Sequence, residues 1–156
     1  FVVMANQVLN RRKSRAGKSL EHHLAAIFDE NKIQYTAQAV TEGNKKPDFL
    51  FPGGEEYHSL IFPADDLIML GAKTTCKDRW RQVVTEADRI DTKFLFTLQP
   101  GISKNQLKEM THENLQLVVP KDNKNCFPKE YQESLFSLQD FICFVHSKQD
   151  KYKYFG

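Results

Sequence analysis

Lys46, Pro47 and Asp48 lead into an apolar run, Phe49-Leu50-Phe51. Further on a second apolar run, Leu67-Ile68-Met69-Leu70-Gly71-Ala72, stops at Lys73 and the basic stretch Thr74-Thr75-Cys76-Lys77-Asp78-Arg79-Trp80-Arg81. A carboxylate at the start of one buried strand and an ammonium at the end of the next suit one chemistry in particular. The carboxylate holds a hard divalent cation such as Mg2+ through oxygen, and the lysine stabilises water beside a phosphate as an ammonium or deprotonates it as a neutral amine. Such a pair serves in-line hydrolysis of a phosphodiester. Pro47 disfavours helix at Lys46 and so suits entry of Asp48 into a strand. Lys73 closes a run of apolar neighbours, where a lysine either lays its stem along the surface or takes part in the chemistry.

These two residues need a sheet to hold them, and the surrounding pattern supplies one. Ser19 to Asn31 places Leu20, Leu24, Ile27 and Phe28 at helical spacing. Residues 33–40 alternate with period two, and Phe49–Phe51 and Leu67–Ala72 follow as short apolar runs bounded by Pro and Gly, which predicts a three-stranded meander. Pro52-Gly53-Gly54 turns the second strand into a long acidic loop carrying Glu55, Glu56, Tyr57, Asp65 and Asp66. From Thr75 to Ile90 the residues Trp80, Val83, Val84, Ala87 and Ile90 predict a second helix, with Thr75 as a candidate cap. Phe94–Leu98 reads as a buried strand, Ser103–Met110 as a helix with a Ser cap, Leu115–Val119 as a strand and Lys129–His146 as a closing amphipathic helix. The expected fold class is α/β, a mixed sheet flanked by helices in the order αβββαβαβα.

The length of 156 residues, 40% hydrophobic and 12% aromatic, fits a single domain over 1–156 with a proper core. Because the chain starts at Phe1, it reads as a piece of a longer protein. The net charge of +2 says little by its total, since clustering is what matters to a polyanion. Arg11, Arg12, Lys13, Arg15 and Lys18 form one cluster, read as a flexible basic arm over 1–16 or as phosphate contacts; Lys73, Lys77, Arg79 and Arg81 around Asp78 form the other. Cys76, Cys126 and Cys143 make no CxxC pair and share no zinc spacing with the five histidines. Cys76 reads as a packing residue. The odd cysteine count, together with the lack of a signal peptide or a membrane-length apolar run, predicts a reduced cytoplasmic setting with no membrane partner. Nothing suggests a nucleotide cofactor.

Five blocks in order between about Arg15 and Pro120, KSLEHHL, TEGNKKPDFLFPGGEEYH, AKTTCKDRWRQVVTEADRI, LFTLQPGIS and LVVP, resemble the catalytic C-terminal domain of EcoRII-type restriction endonucleases in the PD-(D/E)xK superfamily. That resemblance implies the superfamily core, Mg2+-dependent cutting of double-stranded DNA by a two-fold homodimer, and 5′-CCWGG as the site. It also implies a central pair that can be flipped out. One departure matters. The superfamily places Asp or Glu two residues before the lysine, and here that residue is Gly71. Relatives reading CCGG-type sites supply the missing carboxylate from the following helix, which points to Glu86 as metal ligand and catalytic residue. A solvated acid paired with Arg79, Arg89 or Lys93 is the plainer alternative. By the same resemblance Glu21 is a further metal-side acid, and Tyr57 and Lys77 match positions important in such domains, with Tyr57 orienting a phosphate or water.

Lys77-Asp78-Arg79 looks like a compact form of the recognition motif of enzymes that read CC and GG. Its chemistry agrees, since a cation donates to guanine O6 and N7 and an aspartate accepts from cytosine N4. On the predicted helix Arg79, Gln82, Val83 and Glu86 share a face, and Arg79 and Glu86 lie about 10 Å apart. One helix would then couple base reading to metal binding. A repair or junction-resolving nuclease, or a DNA-binding relative without activity, is the alternative to a restriction endonuclease.

Overall fold

The computed structural model describes residues 17–153, with side chains from 20 to 151. Helix α1 (Gly17–Glu30) is followed by strands β1 (Thr36–Ala37) and β2 (Phe49–Phe51), a one-turn helix α2 (Gly54–His58) and strand β3 (Ile68–Lys73). Then come helix α3 (Trp80–Val83), β4 (Lys93–Thr97), α4 (Lys104–His112), β5 (Leu115–Val118), α5 (Lys129–Gln132) and α6 (Leu138–Lys153). The five strands form one sheet in the order β1-β2-β3-β4-β5, antiparallel as far as β3 and parallel from β3 to β5. A mixed sheet in an α/β fold is therefore what the sequence pattern specifies.

Both faces of the sheet are covered, which is why β3 and β4 read as unbroken apolar runs. On one face Phe49, Phe51, Ile68, Leu70, Phe94 and Phe96 meet Leu20, Leu24 and Phe28 of α1 and Phe141, Ile142 and Val145 of α6. Phe28 stands edge-on to Phe49 and Phe51, with ring centroids 5.2 and 5.3 Å away, a geometry that aromatic quadrupoles favour. On the other face Leu50, Met69, Leu95, Leu115 and Leu117 pack against Tyr57, Trp80, Val83, Leu107 and Met110. Asp48 and Lys73 thus sit on a slab pinned from both sides. Among the described residues, no helix is long and apolar enough to cross a membrane.

Four elements differ from expectation, each for a local reason. The strand expected over 33–40 pairs only at Thr36 and Ala37, because Gln38 adopts φ 58° and turns the chain out of the ladder. The acidic loop contains α2, which buries Tyr57. The helix expected from Thr75 to Ile90 is regular only over Trp80–Val83: Lys77 (φ 38°) and Ala87 (φ 55°) interrupt it on either side, and no Thr75 cap forms. The closing helix is split, since Phe136 donates its N–H to the Leu117 carbonyl and accepts from the Val119 N–H at the rim of β5. Helix α6 begins after Ser137, whose hydroxyl accepts from Asp140 N at 3.1 Å while the Asp140 carboxylate accepts from Ser137 N at 2.9 Å. This reciprocal cap is legible as Ser-x-x-Asp before an apolar run. The expected Ser103 cap is present, accepting from Gln106 N at 3.3 Å.

Candidate active site

Asp48 enters β2, and the antiparallel register that sets Phe49 opposite Leu70, extended by one residue, sets Asp48 opposite Gly71. Its carboxylate is anchored twice: Oδ2 accepts from Ala72 N at 2.7 Å and Oδ1 from Gln38 Nε2 at 3.1 Å. A carboxylate has about four lone-pair sites, so two remain for a ligand. The bond to Ala72 brings Asp48 beside Lys73, the last residue of β3, which is half-buried. Sequence reasoning missed Gln38, whose role depends on its left-handed backbone and leaves no local signal.

Gly71 explains how the third group arrives. A Cβ built there would lie 3.0 and 3.2 Å from the two methyls of Val83, so α3 packs directly on the β3 backbone. Glu86 lies three residues past Val83, the end of the helix, with its N–H on the Val83 carbonyl at 3.1 Å, and is only 8% exposed. Its carboxyl is pushed up to about 7, first by burial and next by the charge of Asp48, against the opposing pull of Lys73, Lys45 and Lys93. Asp48 and Lys73 therefore both lie within electrostatic reach of Glu86, as candidates for one site should. Restoring the usual carboxylate by Gly71→Asp should fail, because the new side chain would displace Val83 and with it Glu86. Overpacking of this kind costs about 1–3 kcal/mol. We expect a melting temperature at least about 3 °C lower and slower cleavage. A variant that melts and cuts like the parent would refute the tight Gly71–Val83 contact.

Two carboxylates offering oxygen fit Mg2+, which keeps several waters and takes one or two carboxylates plus phosphate oxygens. Among the described residues, no three His, Cys, Asp or Glu side chains gather as a metal-binding group. Glu21, expected on the metal side, lies half-buried on the flank of α1, whose Leu20 and Leu24 turn into the core. Tyr57 departs from its expected role. It is 1% exposed, and its hydroxyl donates to the Glu42 carboxylate at 2.6 Å while accepting from Arg89 N at 3.1 Å. A hydroxyl so occupied is a structural strut rather than a group aimed at phosphate or water.

Lys77, Asp78 and Arg79 are all exposed on the loop between β3 and α3, next to Lys73. The loop is tied down from the end of β4, where the Gln99 side chain accepts from Cys76 N at 3.0 Å and Lys77 N at 3.4 Å and donates to the Gly101 carbonyl. Cys76 is fully buried in the core, as a packing residue should be. Arg79 donates to the Thr75 carbonyl at 2.7 Å. Arg79 precedes the single turn of α3 and Glu86 follows it, so the two flank one packed turn instead of sharing one long helical face. Arg81 differs from the triplet: it pairs with Glu109 on α4 and lies over the Trp80 ring at 4.4 Å. Arg15, the side chain of Lys18 and the expected 1–16 arm lie outside the described residues.

The EcoRII C-terminal family model matches residues 1–142. Among curated relatives, the type II restriction enzyme EcoRII of Escherichia coli is 52% identical over 143 residues, covering 91% of this chain and 35% of that enzyme. The type II restriction enzyme SsoII of Shigella sonnei is 26% identical over 141 residues, covering 84% of this chain and 45% of its own. The chain thus spans less than half the length of these relatives. Metal-depleted Ecl18kI in complex with uncleaved DNA superposes with a TM-score of 0.76 at 26% identity, over 94% of this chain and 49% of that one. The same protein with uncleaved, modified DNA gives the same TM-score at 25% identity.

Proposed function

This chain belongs to the EcoRII C-terminal family, and from that premise we propose that it is the cleaving domain of a type II restriction endonuclease. It hydrolyses double-stranded DNA with Mg2+ at 5′-CCWGG or a related CC/GG-containing site. The observation that carries the proposal is the joining of Asp48 to β3 through Ala72 N, with buried Glu86 within electrostatic reach of both Asp48 and Lys73.

In this reading Asp48 and Glu86 hold the cation and Lys73 lies beside the scissile phosphate. Bound Mg2+ supplies Lewis-acid stabilisation of charge on the phosphate. The Lys73 ammonium adds a positive charge where negative charge develops, and in its neutral amine form Lys73 would take the proton of the attacking water. The Ala72 N hydrogen bond to Asp48 keeps carboxylate and ammonium in register, so that positioning adds to the rate gain of the site. Lys77 and Arg79 donate to guanine edges and Asp78 accepts from cytosine. A palindromic site calls for two such loops related by two-fold symmetry, hence a homodimer with one active site per strand. The decisive experiment is digestion of plasmids with and without CCWGG in Mg2+, followed by sequencing of the cut ends. Cuts confined to CC/GG sites support the proposal; cutting of four-way junctions alone, or of neither substrate, refutes it.

Arg79→Ala should lose discrimination rather than general affinity. A bidentate guanine contact is worth about 1–3 kcal/mol, and a dimer loses two, whereas non-specific affinity rests mainly on phosphate contacts. Affinities for a CCWGG duplex and a scrambled duplex, at fixed salt with Ca2+ in place of Mg2+, make the comparison. An equal drop on both would assign Arg79 to the backbone.

A further inference from the structure

Glu86 ends a packed turn whose continuation, residues 85–90, is neither helix nor strand, and its next residue, Ala87, has a left-handed backbone (φ 55°). Irregular backbone beside a buried acid holds its place only if its peptide groups are engaged by the surroundings. Here side chains from three other segments engage them. Lys45 Nζ donates to the Thr85 carbonyl at 2.8 Å, and Glu42 Oε1 accepts from Asp88 N at 3.3 Å. The Tyr57 hydroxyl, itself bound by Glu42, accepts from Arg89 N. Buried Lys93 donates to the Ala87 carbonyl at 2.7 Å and to the Ile90 carbonyl. Glu42 and Lys45 share one turn, closed by Thr41 N on the Lys45 carbonyl at 2.8 Å, and that turn leads directly into Asp48. One short stretch of chain therefore delivers one carboxylate of the site and grips the backbone on both sides of the other.

We propose that Glu42 and Lys45 are positioning residues that set the separation of the Asp48 and Glu86 carboxylates, and so the affinity of the site for a divalent cation. The inference rests on the reading of Asp48 and Glu86 as the cation's ligands. Its mechanical content is that Glu86 has no regular helix behind it and takes its place from this clamp. Electrostatics makes a different forecast. Removing the positive Lys45 would by charge alone strengthen cation binding, and removing the negative Glu42 would weaken it equally for Gln and Ala replacements.

The test is Mn2+ binding, followed by the loss of the free-ion electron paramagnetic resonance signal, to the full chain and its variants on an uncleavable CCWGG duplex. Melting curves without metal serve as the folding control. Lys45→Met should weaken Mn2+ binding severalfold. Glu42→Ala should weaken it about tenfold, the scale typical of residues that orient metal ligands. Glu42→Gln keeps the acceptor for Asp88 N and Tyr57 and should stay within about twofold of the parent. Stronger binding by Lys45→Met, or equal losses in Glu42→Gln and Glu42→Ala, would reduce the clamp to a charge effect and overturn the proposal. Lys45→Met and Glu42→Gln decide the matter even if Glu42→Ala does not fold. Glu86→Gln separates the two levels: unchanged Mn2+ binding in that variant removes the ligand reading and the clamp with it. Weakened binding there with intact binding in the Glu42 and Lys45 variants overturns the clamp alone.

Discussion

Replacing either Asp48 or Lys73 by Ala is expected to bring cleavage below detection while specific binding in Ca2+ stays within about tenfold, or about 1.4 kcal/mol. The expectation follows from where the two side chains lie. Asp48 is bonded to the β3 backbone at Ala72 and Lys73 is the next residue, where the proposed reacting centre lies, while the proposed base-reading groups Lys77, Asp78 and Arg79 are exposed on the loop beyond. Asp48→Ala leaves the Ala72 N–H without its acceptor, a loss of about 1–3 kcal/mol in a buried setting. Asp48→Asn is therefore the companion variant, because it removes the charge and keeps an oxygen for Ala72 N, while its NH2 meets the Gln38 amide, which can turn its oxygen toward it. Its cleavage should be absent as well, with melting close to that of the parent. Near-parental cutting in Mg2+ by Asp48→Asn or Lys73→Ala would remove these residues from the chemistry.

Glu86→Gln is expected to destroy activity and stabilise the fold at the same time. Burial and the neighbouring Asp48 raise the Glu86 carboxyl to about 7 in the folded protein, against about 4.3 in an unfolded chain. The folded state therefore holds more protons than the unfolded state between those values, and stability falls as pH rises through that window. Below about pH 4 the penalty is nearly absent, and above pH 7 it approaches its full size, on the order of 3–4 kcal/mol. Gln carries no charge, so at pH 8 without metal the variant should melt at least about 6 °C above the parent, and the difference should shrink through pH 5 and close near about pH 4. Mg2+ should stabilise the parent more than the variant, since the ion offsets the charge that Gln lacks. Cleavage should fall steeply and recover partly at high Mg2+ or with Mn2+. Equal melting at pH 8 would contradict a buried charged Glu86, and near-parental cleavage at low Mg2+ would pass the ligand role to Glu21 or to an acid of the 55–66 loop.

Much of the fold was legible in the residue pattern. The core strands Phe49–Phe51, Lys93–Thr97 and Leu115–Val118 fall where apolar runs bounded by Pro, Gly and polar residues put them, because burial on both sheet faces leaves a signature that no surface strand shares. Ser103 was readable as a cap for the same kind of reason: its bond is to a residue three positions on. The positions of Asp48 at the entry of β2, Lys73 at the end of β3 and the exposed Lys77-Asp78-Arg79 triplet beyond it were legible too, as charges in or beside apolar runs. Gly71 was visible as a departure, and it directed attention to Glu86.

What failed was everything that depends on the sign of a backbone angle or on a partner far along the chain. The apolar spacing of 75–90 is truly helical in period, yet Lys77 and Ala87 take left-handed angles that period cannot register, so only Trp80–Val83 forms a helix. Tyr57 looked like a loop residue facing substrate, and only the approach of Glu42 and Arg89 made it a buried strut. Arg81 belonged by composition to the basic stretch, while the tertiary fold gave it to Glu109 and Trp80. Hydrophobic period is a local property carried by neighbouring residues, and it determined the strands, the faces and the apolar frame around Asp48 and Lys73. Where the second carboxylate stands was decided by contacts between distant segments, the Val83 methyls on Gly71 and the Glu42–Lys45 turn on the backbone around Glu86. Packing and hydrogen-bond satisfaction act only after the chain has closed on itself.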